Sequence, residues 1–306
     1  MVKPDNHWQK FKFTPSEFNK LRQVIYDLTG IALKDNKREM LYSRLSKRLR
    51  QLGLNDFSDY IDIFERGDYQ EEIGHLVNAV TTNLTRFFRE SHHYDFLKDV
   101  VIPDYIKKSK QAPAEEFMVW SAGCSSGMEA YSAAMVIYKH LPKNLHDKVK
   151  ILATDIDTNM LNTGKNGIYA RQHLDTIPED YQRQFKDLKK SEDNKEIVMP
   201  DALKAMVHFK YLNLQHEWPI RKKFDVIFCR NVMIYFDRET RNNLIDRYVK
   251  QLKDQAYLFL GHAESLVNQE MDIKPIGKSI FQKYAPGEAR VSMAASGLLK
   301  MQRGAV

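Results

Sequence analysis

Phe117-Met118-Val119-Trp120-Ser121-Ala122-Gly123-Cys124-Ser125-Ser126-Gly127 begins as a short apolar run and stops at small residues. A helical pattern, Glu129 to His140, follows at once. An apolar strand running through a glycine turn into a helix is the opening unit of a parallel sheet, whose strands are buried on both faces and so lack strict alternation. Downstream the rhythm repeats: strand Val149 to Ala153, helix Thr158 to Gly164, strand Phe224 to Phe228, helix Arg238 to Leu252, strand Ala256 to Leu260. Alternation of this kind predicts a doubly wound, Rossmann-like α/β domain. Residues about 171–212 break the rhythm and are expected to form a small inserted β-subdomain, with a charged stretch, Lys186 to Lys195, ahead of Glu196-Ile197-Val198-Met199.

Upstream the signals are all helical. Thr14-Pro15-Ser16-Glu17 has capping-box spacing with proline at the first helical position, and Gly30 stops that helix. A second helix is expected from about Asn36 to Leu52, with Met40, Leu41, Leu45 and Leu49 on one side; Phe57 to Glu65 and Tyr69 to Val80 follow. The expected organisation is therefore an all-helical N-terminal domain over 1–80, an interdomain segment over 81–98, and an α/β domain over 99–287. A small-residue tail over 288–306 is expected to be disordered.

The chain of 306 residues carries a formal charge of +7, and all of that excess lies in residues 1–50. The N-terminal domain is thus suited to an acidic partner, although charge alone does not separate nucleic acid, anionic lipid and acidic protein. No apolar run approaches the ~20 residues of a membrane span, and the N-terminus lacks a signal-peptide pattern, so a cytoplasmic protein is expected. Cys124 and Cys229 form neither a disulfide framework nor a zinc pattern, and no metal is expected.

In an open α/β sheet ligands bind beyond the C-terminal strand ends, and an acid closing the second strand suits a ribose diol. Gly123, Gly127 and Asp155 occupy those positions, but the spacing is not G-x-G-x-x-G. An adenosyl ligand without a pyrophosphate fits better than a dinucleotide. Taken alone, the three residues serve equally as a strand-to-helix turn and a helix N-cap.

Longer segments narrow the choice. Thr81-Thr82-Asn83-Leu84-Thr85-Arg86-Phe87-Phe88-Arg89-Glu90, Ser125-Ser126-Gly127-Met128-Glu129-Ala130-Tyr131-Ser132, Phe224 through Asp237 with Cys229-Arg230-Asn231-Val232-Met233-Ile234-Tyr235 at its centre, and Gly261-His262-Ala263-Glu264-Ser265 occur in order. Together they resemble the signature segments of the CheR family, the chemotaxis receptor methyltransferases, over roughly residues 14 to 285. Where that family usually has S-T-G-E-E-P-Y-S, this chain has Ser126, Met128 and Ala130.

The resemblance implies an S-adenosyl-L-methionine-dependent protein-glutamate O-methyltransferase that releases S-adenosyl-L-homocysteine. It implies that Asn83, Thr85 and Arg89 close over the cofactor, that Glu129 and Asp155 supply carboxylates, and that Asn213, Leu214, Asn231 and Val232 wall the adenosine. Arg89 and Tyr235 are the expected catalytic pair, orienting an acceptor carboxylate that is already ionised. Lys37, Arg38, Arg44, Lys47 and Arg48 are the expected docking face for glutamate-rich cytoplasmic helices of receptors, with recruitment to membrane receptor arrays. Some family members bind a receptor's C-terminal peptide through a glycine-rich loop. The matching stretch, Lys186 to Lys195, has no glycine, which predicts recognition without that tether.

Two other classes compete. A nucleic-acid methyltransferase would use the basic helices on phosphates, but Asn231-Val232-Met233-Ile234-Tyr235 lacks the paired prolines of amino-methylating DNA enzymes, and no aromatic-basic interleaving is present. A non-catalytic cofactor-sensing scaffold would keep the fold without turnover; intact Arg89, Asp155, Asn231 and Tyr235 count against it. An NAD-dependent dehydrogenase is a distant third.

Overall fold

In the computed structural model, residues 11–67, 71–185, 188, 195–262, 264 and 272–288 are described. The chain divides into two compact units: Met1–Thr82 with Tyr235–Thr240, and Asn83–Ile234 with the chain from Arg241.

The first unit is helical. Helix α1 (Pro15–Thr29) starts where the capping box forms: Glu17 N–H donates to Thr14 Oγ1 at 3.2 Å and Thr14 N–H donates to Glu17 Oε2 at 2.6 Å. It ends at Gly30 with φ 72°, a conformation that costs glycine least. Helices α2 (Arg38–Leu52), α3 (Phe57–Glu65) and α4 (Glu72–Val80) follow. The expected first turn of α4, at Tyr69, lies outside the described residues. Leu21, Ile25, Leu41, Leu45, Leu49, Phe57, Tyr60 and Leu76 form the core, with the Phe13 and Phe57 rings stacked at 4.1 Å. Residues Tyr235 and Phe236 pack on this core, Tyr235 C=O accepts from Ala32 N–H at 2.9 Å, and Tyr26 OH donates to Asp237 at 2.5 Å.

The basic side of α2 differs from the expected free docking face. Arg48 makes a fork of hydrogen bonds to the buried carboxylate of Glu72, which also accepts from Tyr60 OH at 2.8 Å. Arg44 donates to the carbonyls of Ala79 (3.0 Å) and Thr81 (2.6 Å), closing the end of α4. Arg38 donates to Phe13 C=O and lies over its ring. Lys37 is half-buried, and Lys47 is exposed. Three of the five cations therefore hold the unit together, because the acid and carbonyls they meet arrive from segments that the helical periodicity of α2 does not reveal.

The second unit opens with α5 (His92–Phe96), continues through one π-type turn into α6 (Ile102–Gln111), and enters the sheet at β1 (Phe117–Ala122). Then come α7 (Met128–His140), β2 (Val149–Asp155), α8 (Thr158–Asn166), β3 (Ile168–Ala170), α9 (Glu179–Gln184), β4 (Glu196–Val198), α10 (Asp201–Lys204), β5 (Val207–Tyr211) and β6 (Phe224–Cys229). Helix α11 (Arg238–Gln251), whose first turn groups with the helical unit, leads to β7 (Leu252–Leu260), β8 (Ile273–Gly277) and β9 (Ile280–Lys283).

The seven-stranded sheet has the order β5-β2-β1-β6-β7-β9-β8 and is parallel except for β9, which runs antiparallel to β7 and β8. Both faces are covered. Val119 joins the core that includes Ala133 and Val136 of α7, whereas Trp120 points the other way to Trp218 and to Tyr248 of α11. The Trp120 indole N–H donates to Thr154 Oγ1 at 2.9 Å, so its polar atom is satisfied while the ring is buried.

Two expectations about the insertion change. The separate sheet is β3 paired antiparallel with β4, so it starts at Ile168, before residue 171. Strand β5, expected inside the insertion, is the edge strand of the main sheet, paired with β2. Its residues alternate buried and exposed, as an edge strand's do, and the sequence therefore lacks the continuous apolar run that marked the central strands. The stretch Lys186 to Lys195, apart from Leu188 and Lys195, and the tail beyond residue 288 lie outside the described residues.

Candidate active site

The C-terminal ends of β1, β2 and β6 lie side by side, and three backbone turns there are locked together. Gly123 and Cys124 N–H both donate to Thr154 C=O, at 2.8 and 2.9 Å. Gly123 has φ 75°, and a Cβ added to it would lie 2.3 Å from Val232 Cγ2, so only glycine lets the β6 turn approach the β1 turn. Gly127, φ 84°, is constrained likewise by the Phe209 ring at 2.7 Å.

Asp155 closes β2. Its carboxylate accepts from Ser125 N–H at 2.7 Å and Asp157 N–H at 2.8 Å. Burial raises its pKa to about 6 against the opposing pull of these N–H donors. Asp157 caps α8 through Asn159 and Met160 N–H and accepts from the Asn83 amide at 2.7 Å. Asn83 is thus brought beside the ribose-type acid through Asp157. Leu212 N–H donates to Asp155 C=O at 3.1 Å, which fixes the adjoining Asn213 and Leu214, both buried. Asn213 Oδ1 accepts from Gln215 N–H at 3.0 Å, and Leu214 C=O accepts from Arg247 at 2.6 Å.

Glu129, in the first turn of α7, accepts from Ser121 Oγ at 2.7 Å and lies 3.3 Å from an Arg230 nitrogen. Burial raises its pKa, and the Arg230 charge opposes that. Arg230 also meets Glu90 (3.5 Å), Tyr94 OH (3.3 Å) and the Arg89 carbonyl. Arg89 is half-exposed and donates to Leu84 C=O at 3.0 Å, folding its segment into a short loop in which Thr85 is half-exposed. Asn231 has φ 60°, held by Glu264: its carboxylate accepts from Asn231 (3.0 Å), Met233 (2.8 Å) and Gly261 (2.7 Å) N–H groups. Burial raises the Glu264 pKa, and the N–H donors pull it back down.

The structure therefore brings Asn83, Glu129, Asp155, Asn213, Leu214, Asn231 and Val232 to the strand ends of one unit, with Thr85 and Arg89 on its first loop. It places Tyr235 with the helical unit. Arg230, Glu264 and Asp157 were quoted in the sequence without a role. Their roles depend on partners 31 to 141 residues away, apart from the cap that Asp157 forms and the bond from Gly261 N–H to Glu264. The one local signal was an acid after a strand end, in Gly261-His262-Ala263-Glu264.

The residues fit an adenosyl ligand. Asp155 can accept from a diol, Val232 and Leu214 offer apolar surface, and the buried Ser125 hydroxyl has no hydrogen-bonding partner among the described residues. A mostly parallel open sheet with an acid closing β2 defines the class of enzymes that hold a nucleoside-containing ligand at the strand ends, to which S-adenosylmethionine-dependent methyltransferases belong.

Comparison with known proteins narrows the class. Residues 83–281 match the family described as CheR methyltransferase, SAM binding domain, and residues 16–81 match CheR methyltransferase, all-alpha domain. The chain is 41% identical over 255 residues to the chemotaxis protein methyltransferase of Borreliella burgdorferi, covering 83% of this chain and 89% of that one. It is 36% identical over 276 residues to the chemotaxis protein methyltransferase of Escherichia coli, covering 89% and 92%, and 35% identical over 274 residues to chemotaxis protein methyltransferase 2 of Pseudomonas aeruginosa, covering 89% and 95%. The chain belongs to the CheR methyltransferase family.

Proposed function

We propose that this protein forms methyl esters on glutamate side chains in the cytoplasmic helices of chemotaxis receptors, and that it acts in the cytoplasm at receptor arrays. The observation that carries this reading is the pair of family matches, which run in order from residue 16 to 281 and take in both units. No helix among the described residues is long and apolar enough to cross a membrane, which suits a protein recruited to a membrane receptor.

S-adenosylmethionine, when bound, supplies a methyl group activated by a sulfonium leaving group. A glutamate with pKa ~4.3 is already anionic at neutral pH, so no general base is required. The protein's task is orientation and exclusion of water. In this reading Asp155 accepts from the ribose hydroxyls, Asn213 addresses the adenine edge, and Leu214 and Val232 cover the ring. Glu129 has one oxygen on Ser121 and the other toward Arg230, so it meets the cationic methionine end as a held, oriented acid. Asn83 and Thr85 close over the cofactor. Arg89 aims the acceptor carboxylate through its planar fork. Residues 1–80 dock the receptor, residues 81–98 complete the cofactor site, and 99–287 carry the chemistry.

Docking rests chiefly on Lys37 and Lys47, because Arg44 and Arg48 have structural partners. Recognition is direct, without a receptor C-terminal tether. The test is transfer of labelled methyl to receptor-rich membranes and, separately, to DNA and RNA, followed by mild alkali. Receptor label released as methanol supports the assignment. Base-stable label on nucleic acid would move the basic helices to phosphate binding.

A further inference from the structure

Beside Arg89, the chain folds three side chains, those of His93, Arg230 and His262, around one oxygen of Glu90. Glu90 Oε2 is buried and has no hydrogen-bonding partner. It lies 3.4 Å from His262 Nδ1 and 3.7 Å from His93 Nδ1. Both distances are too long for hydrogen bonds of ordinary strength. They are close to the ~3.4 Å edge of a tetrahedron of N and O ligands at ~2.1 Å from a central ion. Ligand atoms of Glu90, His92 and His93 all lie within 4.8 Å of one another.

The imidazoles are presented as ligands are. His92 Nε2 sits 3.0 Å from Lys278 C=O, which fixes that nitrogen as the donor and leaves the Nδ1 lone pair free. Donation of the second nitrogen to a backbone carbonyl is the usual support for a metal-binding histidine. His93 is fully buried, its ring lies flat on Phe259 at 5.1 Å, and neither of its nitrogens has a hydrogen-bonding partner. The Ser279 carbonyl lies near that ring without the alignment of a full hydrogen bond. Glu90 Oε2 and both His93 nitrogens thus lie close together, each without a hydrogen-bonding partner, which is the arrangement a bound cation would complete.

Arg230 is the cation already near, and it does not satisfy the cluster. Its Nε is 3.5 Å from Glu90 Oε2 and unpartnered, and its guanidinium is shared with Glu129. Two carboxylates thus face one guanidinium. His262, with 44% of its side chain exposed, gives a route in from solvent.

We propose that Glu90, His92 and His93 form a binding site for one divalent transition-metal ion of the zinc class, with His262, 3.4 Å from Glu90 Oε2, placed to close on the same ion from the segment after β7. Phe88 and Glu90 both have positive φ, 51° and 55°, so the Phe88–Glu90 turn needs such a tie. Three of these residues stand together in Glu90-Ser91-His92-His93, and the fourth, His262, lies 172 positions beyond Glu90.

The test is titration of the tag-free, full-length chain with Zn2+ in competition with a chromophoric chelator, and with Co2+ followed by visible absorption. The wild type should bind about one equivalent and give the intense visible bands of four-coordinate Co2+. Glu90→Gln and His262→Ala should each weaken binding at least ~10-fold and bleach those bands. His93 packs on Phe259, so its removal would confound folding and is not needed. Circular dichroism checks that both variants remain folded. No stoichiometric binding to the wild type, or unchanged binding in either variant, would overturn the site; the methyl-transfer assignment would stand regardless.

Discussion

Glu72 in the helical unit and Asp155 at the end of β2 are both buried acids, and they are satisfied in opposite ways. Glu72 is met by side chains, the Arg48 guanidinium and Tyr60 OH, which fill its lone pairs and shut it off. Asp155 is met by backbone N–H groups from Ser125 and Asp157, which hold it in place yet leave it at 9% exposure with an edge toward solvent. A buried acid neutralised by a cation is a structural joint. One held by backbone dipoles at a strand end can still accept from a ligand.

That contrast is broken most forcefully at the joint. Arg48→Glu would set two carboxylates together beside Tyr60 and should cost about 3–5 kcal/mol of stability, read as a lower denaturant midpoint. An unchanged midpoint would mean that the pair contributes nothing. Glu264→Gln replaces an acceptor of three backbone N–H groups by one that also carries donors. It should cost about 1–3 kcal/mol and weaken S-adenosylhomocysteine binding in calorimetry, since it loosens the Asn231 turn.

Asp155→Asn should leave stability within about 1 kcal/mol, yet weaken S-adenosylhomocysteine by roughly tenfold through the lost charged acceptor. Because burial raises Asp155 to about 6, its ionisation works against the fold as pH climbs from 3.8 through about 6. Cofactor affinity runs the other way: it should fall as pH drops below about 6, and that fall should vanish in the Asn variant. A pH profile identical in both proteins would remove Asp155 from the ribose contact. The smallest effect is expected at exposed Lys47, where reversal to Glu should slow receptor methylation about two- to fivefold with cofactor affinity unchanged.

What was legible in the sequence follows the same division. The Thr14–Glu17 capping box and the glycine turns after β1 are local, and they form where their spacing placed them. The order of central strands was legible because burial on both faces writes a continuous apolar run. Strand β5 was misplaced because an edge strand buries one face only, and β8 and β9 escaped because each is only partly buried and so writes no continuous apolar run. Charged side chains were read least well. Arg48 was expected on a docking face, and its partner Glu72 lies 24 residues on; Arg230 was quoted without a role. A charge in a sequence carries no mark of the distant group that will neutralise it.

The central claim is that the acceptor is a glutamate carboxylate on a receptor. Tandem mass spectrometry of receptor cytoplasmic helices, after incubation with the protein and S-adenosylmethionine, tests it directly. The expected result is one added methyl on individual glutamates, absent from controls without enzyme and lost after mild alkali. Methyl groups found on lysine or another nitrogen, stable to alkali, would contradict the account.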